Sequence, residues 1–311
     1  MILSIQSIPG GRANEPRTPA IRLARHHPLA YGNGSTPKAP PVFRYALHAL
    51  IVLILTLLTQ IGGIAYLIAL AASRIFGMRR FPAKLAIFLV FYAGATFAAN
   101  LAAPMFGRVP LSCIASAADR LVVRSPIYCL LNRNYVTPGV RDLAKALAAH
   151  MDKEFPGTVT VALDANFPFV RGFPLLPHLS HADGKKLDFA YYYKDVDGAF
   201  LNGATRSPIG YFGFEQPVPG DELPCEGRND WLTTRWNFDA LQSLFPAYRI
   251  EEQRTSAAIG WLTSEGVAKF GLQKIFIEPH LKNALGITDS HIRFQGCRAA
   301  RHDDHIHIQV D

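Results

Sequence analysis

The sequence predicts an α+β fold, an antiparallel core sheet with flanking helices, preceded by a two-helix transmembrane hairpin. Three observations lead there. Two long apolar stretches, Ala46 to Ala72 and Leu85 to Phe106, stand close together. Beyond them, short β-branched alternating runs are mixed with runs of helical period. The last residues, His305 to Val310, alternate polar and apolar as a half-buried strand does.

Each apolar stretch is long enough to cross about 30 Å of hydrocarbon at about 1.5 Å per residue. The connection between them holds Arg74, Arg79, Arg80 and Lys84 and no acid. The positive-inside rule therefore places it in the cytoplasm, with both termini outside. In a bacterial inner membrane that side is the periplasm, so the expected partner of residues 43–107 is membrane lipid. Residues 1–42 are rich in proline, glycine and arginine and read as a flexible tail. Met78 opens a basic-then-apolar stretch that would resemble a signal-anchor if translation began there.

The remaining stretch, 108–311, is long enough for one domain with a core of its own. The chain carries a net charge of +8, but no basic run is interleaved with aromatics, so no nucleic-acid partner is expected. Cys113, Cys129, Cys225 and Cys297 form no CxxC pair, which argues against a cysteine zinc site. All four follow the apolar block, consistent with two disulfides in an oxidising compartment. Three pairings are open.

Within this domain Thr137 to Glu154 reads as a helix, with Pro138 in its first turn and Leu143, Leu147 and Met151 along one stripe. His150 there reads as a surface or packing residue. Thr158–Asp164 and Lys186–Tyr193 read as strands, and Asp195 to Gly198 as a turn. Residues 203–235 form a Gly- and Pro-rich surface excursion near the substrate. Helices are expected from Phe238 and over Thr255–Lys269. Lys274–Glu278 is a strand, and a helix from Pro279 ends at Gly286.

The chemistry concentrates in histidines. On a strand, His305 and His307 project to the same face, and His302 lies just before it. Upstream, His178 and His181 precede a turn at Gly184, and Asp188 lies in the following strand. A histidine, an aspartate and one terminal histidine make three N/O ligands. Three protein ligands with an open fourth position is the form of a catalytic zinc site. No G-x-S-x-G and no H-E-x-x-H is present.

These two stretches resemble the superfamily of lysostaphin-type peptidases, D-Ala-D-Ala metallopeptidases and hedgehog domains, most of all the penicillin-insensitive murein endopeptidases. The first element, His-x-Ser-His-x-x-Gly-x-x-x-Asp, is met by His178, Ser180, His181, Gly184 and Asp188. The second, His-x-x-His-x-His, is met by His302, His305 and His307. The resemblance covers roughly residues 155–311, though only these blocks are specific. The membrane hairpin and the 203–235 excursion lie outside its pattern.

The resemblance implies that His181, Asp188 and His307 ligate zinc. It implies that His305 takes the water proton or stabilises the oxyanion, and that His178 and His302 line the cleft and orient water or substrate. Asp303 and Asp304 read as turn residues or histidine orienters rather than ligands. Phe167, Phe169, Phe173, Tyr191 to Tyr193, Tyr211, Phe212, Trp231 and Trp236 are candidates for a groove wall, though better suited to the core. Arg171 and Arg206 are candidates for binding peptide carboxylates, whereas Glu278 and His280 read as structural. The implied activity is hydrolysis of amide bonds in peptidoglycan stem peptides or cross-bridges, of endopeptidase or DD-carboxypeptidase type; an amidase is a further choice of bond. The alternative is a non-catalytic zinc-containing module for cell-wall binding or signalling.

Overall fold

The terminal alternation becomes the centre of the largest sheet. Its strands are β1 (Leu121–Val123), β2 (Thr160–Ala162), β3 (Lys186–Ala190), β4 (Leu272–Phe276), β5 (Ile292–Arg293) and β6 (His305–Val310), in the spatial order β5-β4-β6-β3-β2-β1. The computed structural model describes residues 41–114, 120–210, 212–228, 239–299 and 301–311. Ile306 and Ile308 point into the core, and His305 and His307 point to the opposite face, as period-two alternation requires.

The chain is α+β, but its main sheet is mixed rather than antiparallel. β4-β6-β3-β2 are antiparallel neighbours, while β1 pairs parallel with β2 and β5 parallel with β4. The reason is the connections. Helix α4 (Pro138–Glu154) lies between β1 and β2, and the helix Pro279–Ala284 lies between β4 and β5. A helical crossover returns the chain to the end it left, so the next strand runs parallel. α4 buries Val140, Leu143, Ala144, Leu147, Ala148 and Met151 beneath the sheet. His150 stacks on Trp261 and pairs with Glu154, a packing role as expected.

Other expected elements shift. The strand over Lys186–Tyr193 ends at Ala190, and Tyr193–Lys194 joins a separate three-stranded sheet through the Asp195–Gly198 turn. There Asp195 Oδ1 accepts the amides of Asp197 and Ala199. The expected Thr255–Lys269 helix is α5 (Glu252–Trp261), a π turn over Leu262–Gly266, and a last helical turn to Phe270. The helix expected from Phe238 is described only over Asp239–Gln242. The tail before Pro41, Tyr211, Trp231 and Trp236 lie outside the described residues.

The apolar block departs most from expectation. Among the described residues, two helices are long and apolar enough to cross a membrane, Val42–Thr59 and Phe81–Phe106. The stretch Ala46–Ala72, however, is not one helix. It is α1 (Pro41–Thr59) and α2 (Gly62–Ile75), broken at Gln60, whose φ is +66°. His48 Nδ1 lies 2.6 Å from the Tyr66 hydroxyl, although 18 residues of continuous helix would separate them by about 27 Å. α2 therefore folds back along α1. Gly63 makes this approach: a Cβ there would meet Thr56 Oγ1, and would stand 2.8 Å from the Val52 carbonyl. α2 packs in turn on α3 (Phe81–Ala102) through Ala65 and Ala99, with Tyr66 edge-on to Phe88. The reversal puts the start of α1, with Arg44, at the same end as the connection holding Arg74, Arg79 and Arg80. A cytoplasmic connection with both termini outside was the expectation; the fold groups the start of α1 with that connection instead.

Polar and aromatic contacts join these helices to the sheet domain. The amides of Phe169 and Val170 donate to Gln60 Oε1 at 2.8 and 3.3 Å. Tyr92 donates its hydroxyl proton to the Leu130 carbonyl at 2.5 Å and accepts from Asn132 Nδ2. Phe106 meets Phe169 edge-on. The cysteines pair as Cys113–Cys129 and Cys225–Cys297.

Candidate metal centre

Strand register builds the site. β6 and β3 are antiparallel, and His307 stands directly opposite Asp188. Side chains of such a pair share one face, and His307 Nδ1 lies 2.8 Å from Asp188 Oδ1. His181 arrives from the loop before β3. The turn that delivers it needs Gly184: φ there is +82°, and an added Cβ would strike the Arg108 guanidinium. His181 Nδ1 donates to the Ala165 carbonyl at 2.7 Å, which leaves Nε2 with its lone pair facing inward. That Nε2 is 3.0 Å from His307 Nδ1 and 3.3 Å from Asp188 Oδ1.

Three donor atoms thus lie 2.8 to 3.3 Å apart. Ligands held tetrahedrally at about 2.0–2.1 Å from one ion are separated by about 3.3 Å, so the donors fit a small metal ion. Gln309 reaches His307 Nε2 at 3.1 Å. The atom at that distance is the amide nitrogen; with Nδ1 on a metal, Nε2 carries the proton, and the Gln309 amide turned by 180° presents its oxygen as the acceptor.

A second grouping overlaps the first. Asp164, His178, His181 and Asp188 are buried and place one ligand atom each within 4.8 Å of one another, a group that could hold a metal ion. Both groupings share His181 and Asp188. The first is tighter, and Asp164 is already committed: Arg133 Nε donates to its Oδ1 at 2.8 Å and Nη2 to its Oδ2. Asp164 therefore serves better as a counter-charge beside His178 than as a ligand. His178 Nδ1 stands 3.1 Å from Asp188 Oδ2 and 3.6 Å from Asp164 Oδ2, with its ring stacked on His181.

His305 lies beside this centre. Its Nδ1 is 2.9 Å from Asp304 Oδ1, and its Nε2 is 3.9 Å from Asp188 Oδ2. Asp304 is itself fixed: the Phe212 amide and the Ser207 hydroxyl donate to its other oxygen, and the Tyr193 hydroxyl donates to its carbonyl. The covering segment passes so close at Gly210 that an added Cβ would stand 3.2 Å from Leu163 Cδ1 and 3.7 Å from His305 Nδ1. Ser207, Gly210 and Phe212 of the excursion thus lie beside the site. His302 packs against His305 and Phe276, and its amide donates to Glu278 Oε1 at 3.1 Å.

The electrostatics favour binding forms. Burial opposes charge on Asp188, but His181, His305 and His178 hold its carboxyl well below the usual range. Burial, offset in part by Asp188, pushes His307 down to about 3, so its imidazole is neutral. Burial and the neighbouring imidazoles likewise hold His302 low. Burial disfavours a charge on His178, yet Asp188 and Asp164 carry it up to about 9. His305 is also raised: burial works against it, but Asp188 and Asp304 prevail.

All six residues singled out from the sequence therefore come together, and all are buried, at 0 to 6% exposure. Two contributors were missed. Arg133 and Asp164 carry no motif, although an aspartate at the end of the apolar strand TVTVALD is a signal that a buried partner exists. Glu278, read as structural, holds the His302 backbone. Phe167, Tyr191, Tyr192, Tyr193 and Phe212 are buried, with the Tyr191 and Tyr193 hydroxyls bracing the His302 and Asp304 carbonyls. Arg206 stacks on Phe214 and donates to the Pro246 carbonyl. No protein-family model matches the chain, and no curated protein matches it.

Proposed function

We propose that the chain is a membrane-anchored zinc-dependent peptidase that hydrolyses amide bonds in peptidoglycan stem peptides or cross-bridges. The observation that carries this reading is the triad of donor atoms on His181, Asp188 and His307, 2.8 to 3.3 Å apart, with an aspartate-held histidine beside it. Zinc suits two imidazoles and one carboxylate, and when bound it supplies Lewis acidity to a water and to the scissile carbonyl. The order of the His178–Asp188 and His302–His307 blocks, which resembles the penicillin-insensitive murein endopeptidases, supports the same substrate class.

The chain's own groups supply proton handling. Asp304 fixes the His305 ring through Nδ1, so that Nε2 faces Asp188 and is the atom placed to take a proton and return it to a leaving amine. His178, held cationic between two carboxylates, suits orientation of a developing negative charge. His302, held neutral, suits a wall rather than an acid. The five basic residues Arg44, Arg74, Arg79, Arg80 and Lys84 at the far end of the helices support a cytoplasmic placement of that end and a periplasmic domain in a bacterial inner membrane.

One observation favours a second reading. The six site residues are almost closed to solvent, as in a centre that stabilises a non-catalytic wall-binding or signalling module. Incubating the purified full-length chain in detergent with muropeptides separates the two. The peptidase reading expects new amine and carboxyl termini by mass, abolished by a chelator and restored by zinc. Unchanged muropeptides with a fully zinc-loaded protein would support the module.

A further inference from the structure

The sheet domain carries a set of exposed apolar side chains that its core does not explain. Ile127 and Leu130 lie on the short helix Pro126–Leu130, and Leu130 is 63% exposed. Val170, Leu176 and Leu179 lie on the loop that brings His178 and His181 to the metal centre, at 55, 47 and 61% exposure. These two segments are the ones tied to the apolar helices. The Val170 amide donates to Gln60, and the Leu130 carbonyl accepts from Tyr92. Arg133 Nη1 joins the segments by donating to the Leu176 carbonyl at 2.6 Å. Arg124 and Arg171, both exposed, flank them.

Helix lengths say how deep this rim sits. From Arg44 to Gln60 is 16 residues, about 24 Å of helix; from Arg74 back to Gln60 is 14, about 21 Å; from Arg80 to Tyr92 is 12, about 18 Å. Hydrocarbon is about 30 Å thick. With the arginines of the far end at one headgroup layer, both hydrogen-bonded ties fall short of the opposite layer, and any tilt brings them deeper, while Phe106, 26 residues and about 39 Å of helix from Arg80, carries its contact with Phe169 out to that layer. The segments bonded at those ties must then enter the bilayer, which is where their exposed leucines, isoleucine and valine are stable and where flanking arginines reach phosphates.

We propose that Ile127, Leu130, Val170, Leu176 and Leu179 form a rim that inserts into the lipid bilayer, seating the metal centre at the membrane surface. The inference rests on the membrane-spanning reading of α1 and α3 and not on any hydrolytic activity. The test reconstitutes the full chain in vesicles of phosphatidylethanolamine and phosphatidylglycerol, with an environment-sensitive dye on V170C, on L179C, or on V196C as a control. Val196 is 64% exposed on the Asp195–Gly198 turn, whose flanking strands Tyr193–Lys194 and Phe200–Leu201 belong to the separate three-stranded sheet. The expected result is blue-shifted emission at 170 and 179, with most of it lost when the lipids carry doxyl quenchers, and water-like, unquenched emission at 196. Water-like emission at 170 and 179 in carbonate-resistant, membrane-inserted protein would overturn the proposal. Blue-shifted emission that lipid quenchers leave intact would overturn it in favour of a protein partner, and carbonate-extractable protein would overturn it together with the membrane reading. None of these outcomes bears on whether muropeptides are cleaved.

Discussion

His307 and Asp188 face each other across two antiparallel strands, Nδ1 to Oδ1 2.8 Å, although 119 residues of chain separate them. A neutral imidazole and an ionised carboxylate held on one sheet face, with a third donor arriving over Gly184, form a binding site whose strength depends on backbone register. Shifting β6 by one residue would turn both histidines into the core and both isoleucines out.

The support around that pair is measurable. Gln309 fixes the His307 ring at Nε2, so Gln309→Leu should leave metal stoichiometry intact while weakening affinity by roughly 10- to 100-fold. Competition against a fluorescent chelator reads this directly. Unchanged affinity would remove Gln309 from the account.

Asp304 orients His305 without belonging to the metal group. Asp304→Asn can donate where the carboxylate accepts, and so favours the wrong ring tautomer. Hydrolysis should fall by roughly 10²- to 10⁴-fold with metal content unchanged. An equal loss of bound metal would mean that Asp304 serves folding rather than the ring.

The Arg133–Asp164 pair is a stability element. Asp164→Ala leaves a buried guanidinium without its carboxylate, at a cost of about 3–5 kcal/mol by urea denaturation. Burial alone would raise the Asp164 pKa, but Arg133 holds it well below the ordinary range. The folded state therefore keeps this carboxylate ionised after the unfolded chain has taken up a proton. Its stabilisation is complete above about pH 5 and is lost as pH falls through about 4 and below. The stability gap between wild type and Asp164→Ala should narrow over that fall; a constant gap would contradict the assignment.

Reversal of the chain at Gln60 has a topological consequence. In right-side-out cells an impermeant maleimide should label R44C and G77C only after permeabilisation, and V196C without it. The native cysteines are paired and stay silent. Labelling of 44 and 77 from opposite faces would restore the continuous span over Ala46–Ala72.

Much of the candidate site was legible because it is written locally. Spacing of two places His305 and His307 on one face, and Gly184 marks the turn before Asp188. The α4 stripe was equally plain, since Leu143, Leu147 and Met151 are a helical repeat. What sequence left unread depends on partners far along the chain. Strand direction follows from crossover helices, so the parallel edge pairs were missed. Gln60 is one mild polar residue within an apolar run, and its left-handed backbone goes with a close approach of Gly63 to Val52 that only the fold brings about. Arg133 and Asp164 gain meaning only when the fold buries them together.

Metal analysis of the purified full-length chain, with zinc absorption-edge spectroscopy, tests the central claim most directly. The expected result is one zinc per chain, nitrogen and oxygen neighbours at about 2.0–2.1 Å, no sulfur shell near 2.3 Å, and loss of the metal in His307→Ala and Asp188→Ala variants that remain folded. A chain that binds no zinc, or one that keeps it in both variants, would contradict the account.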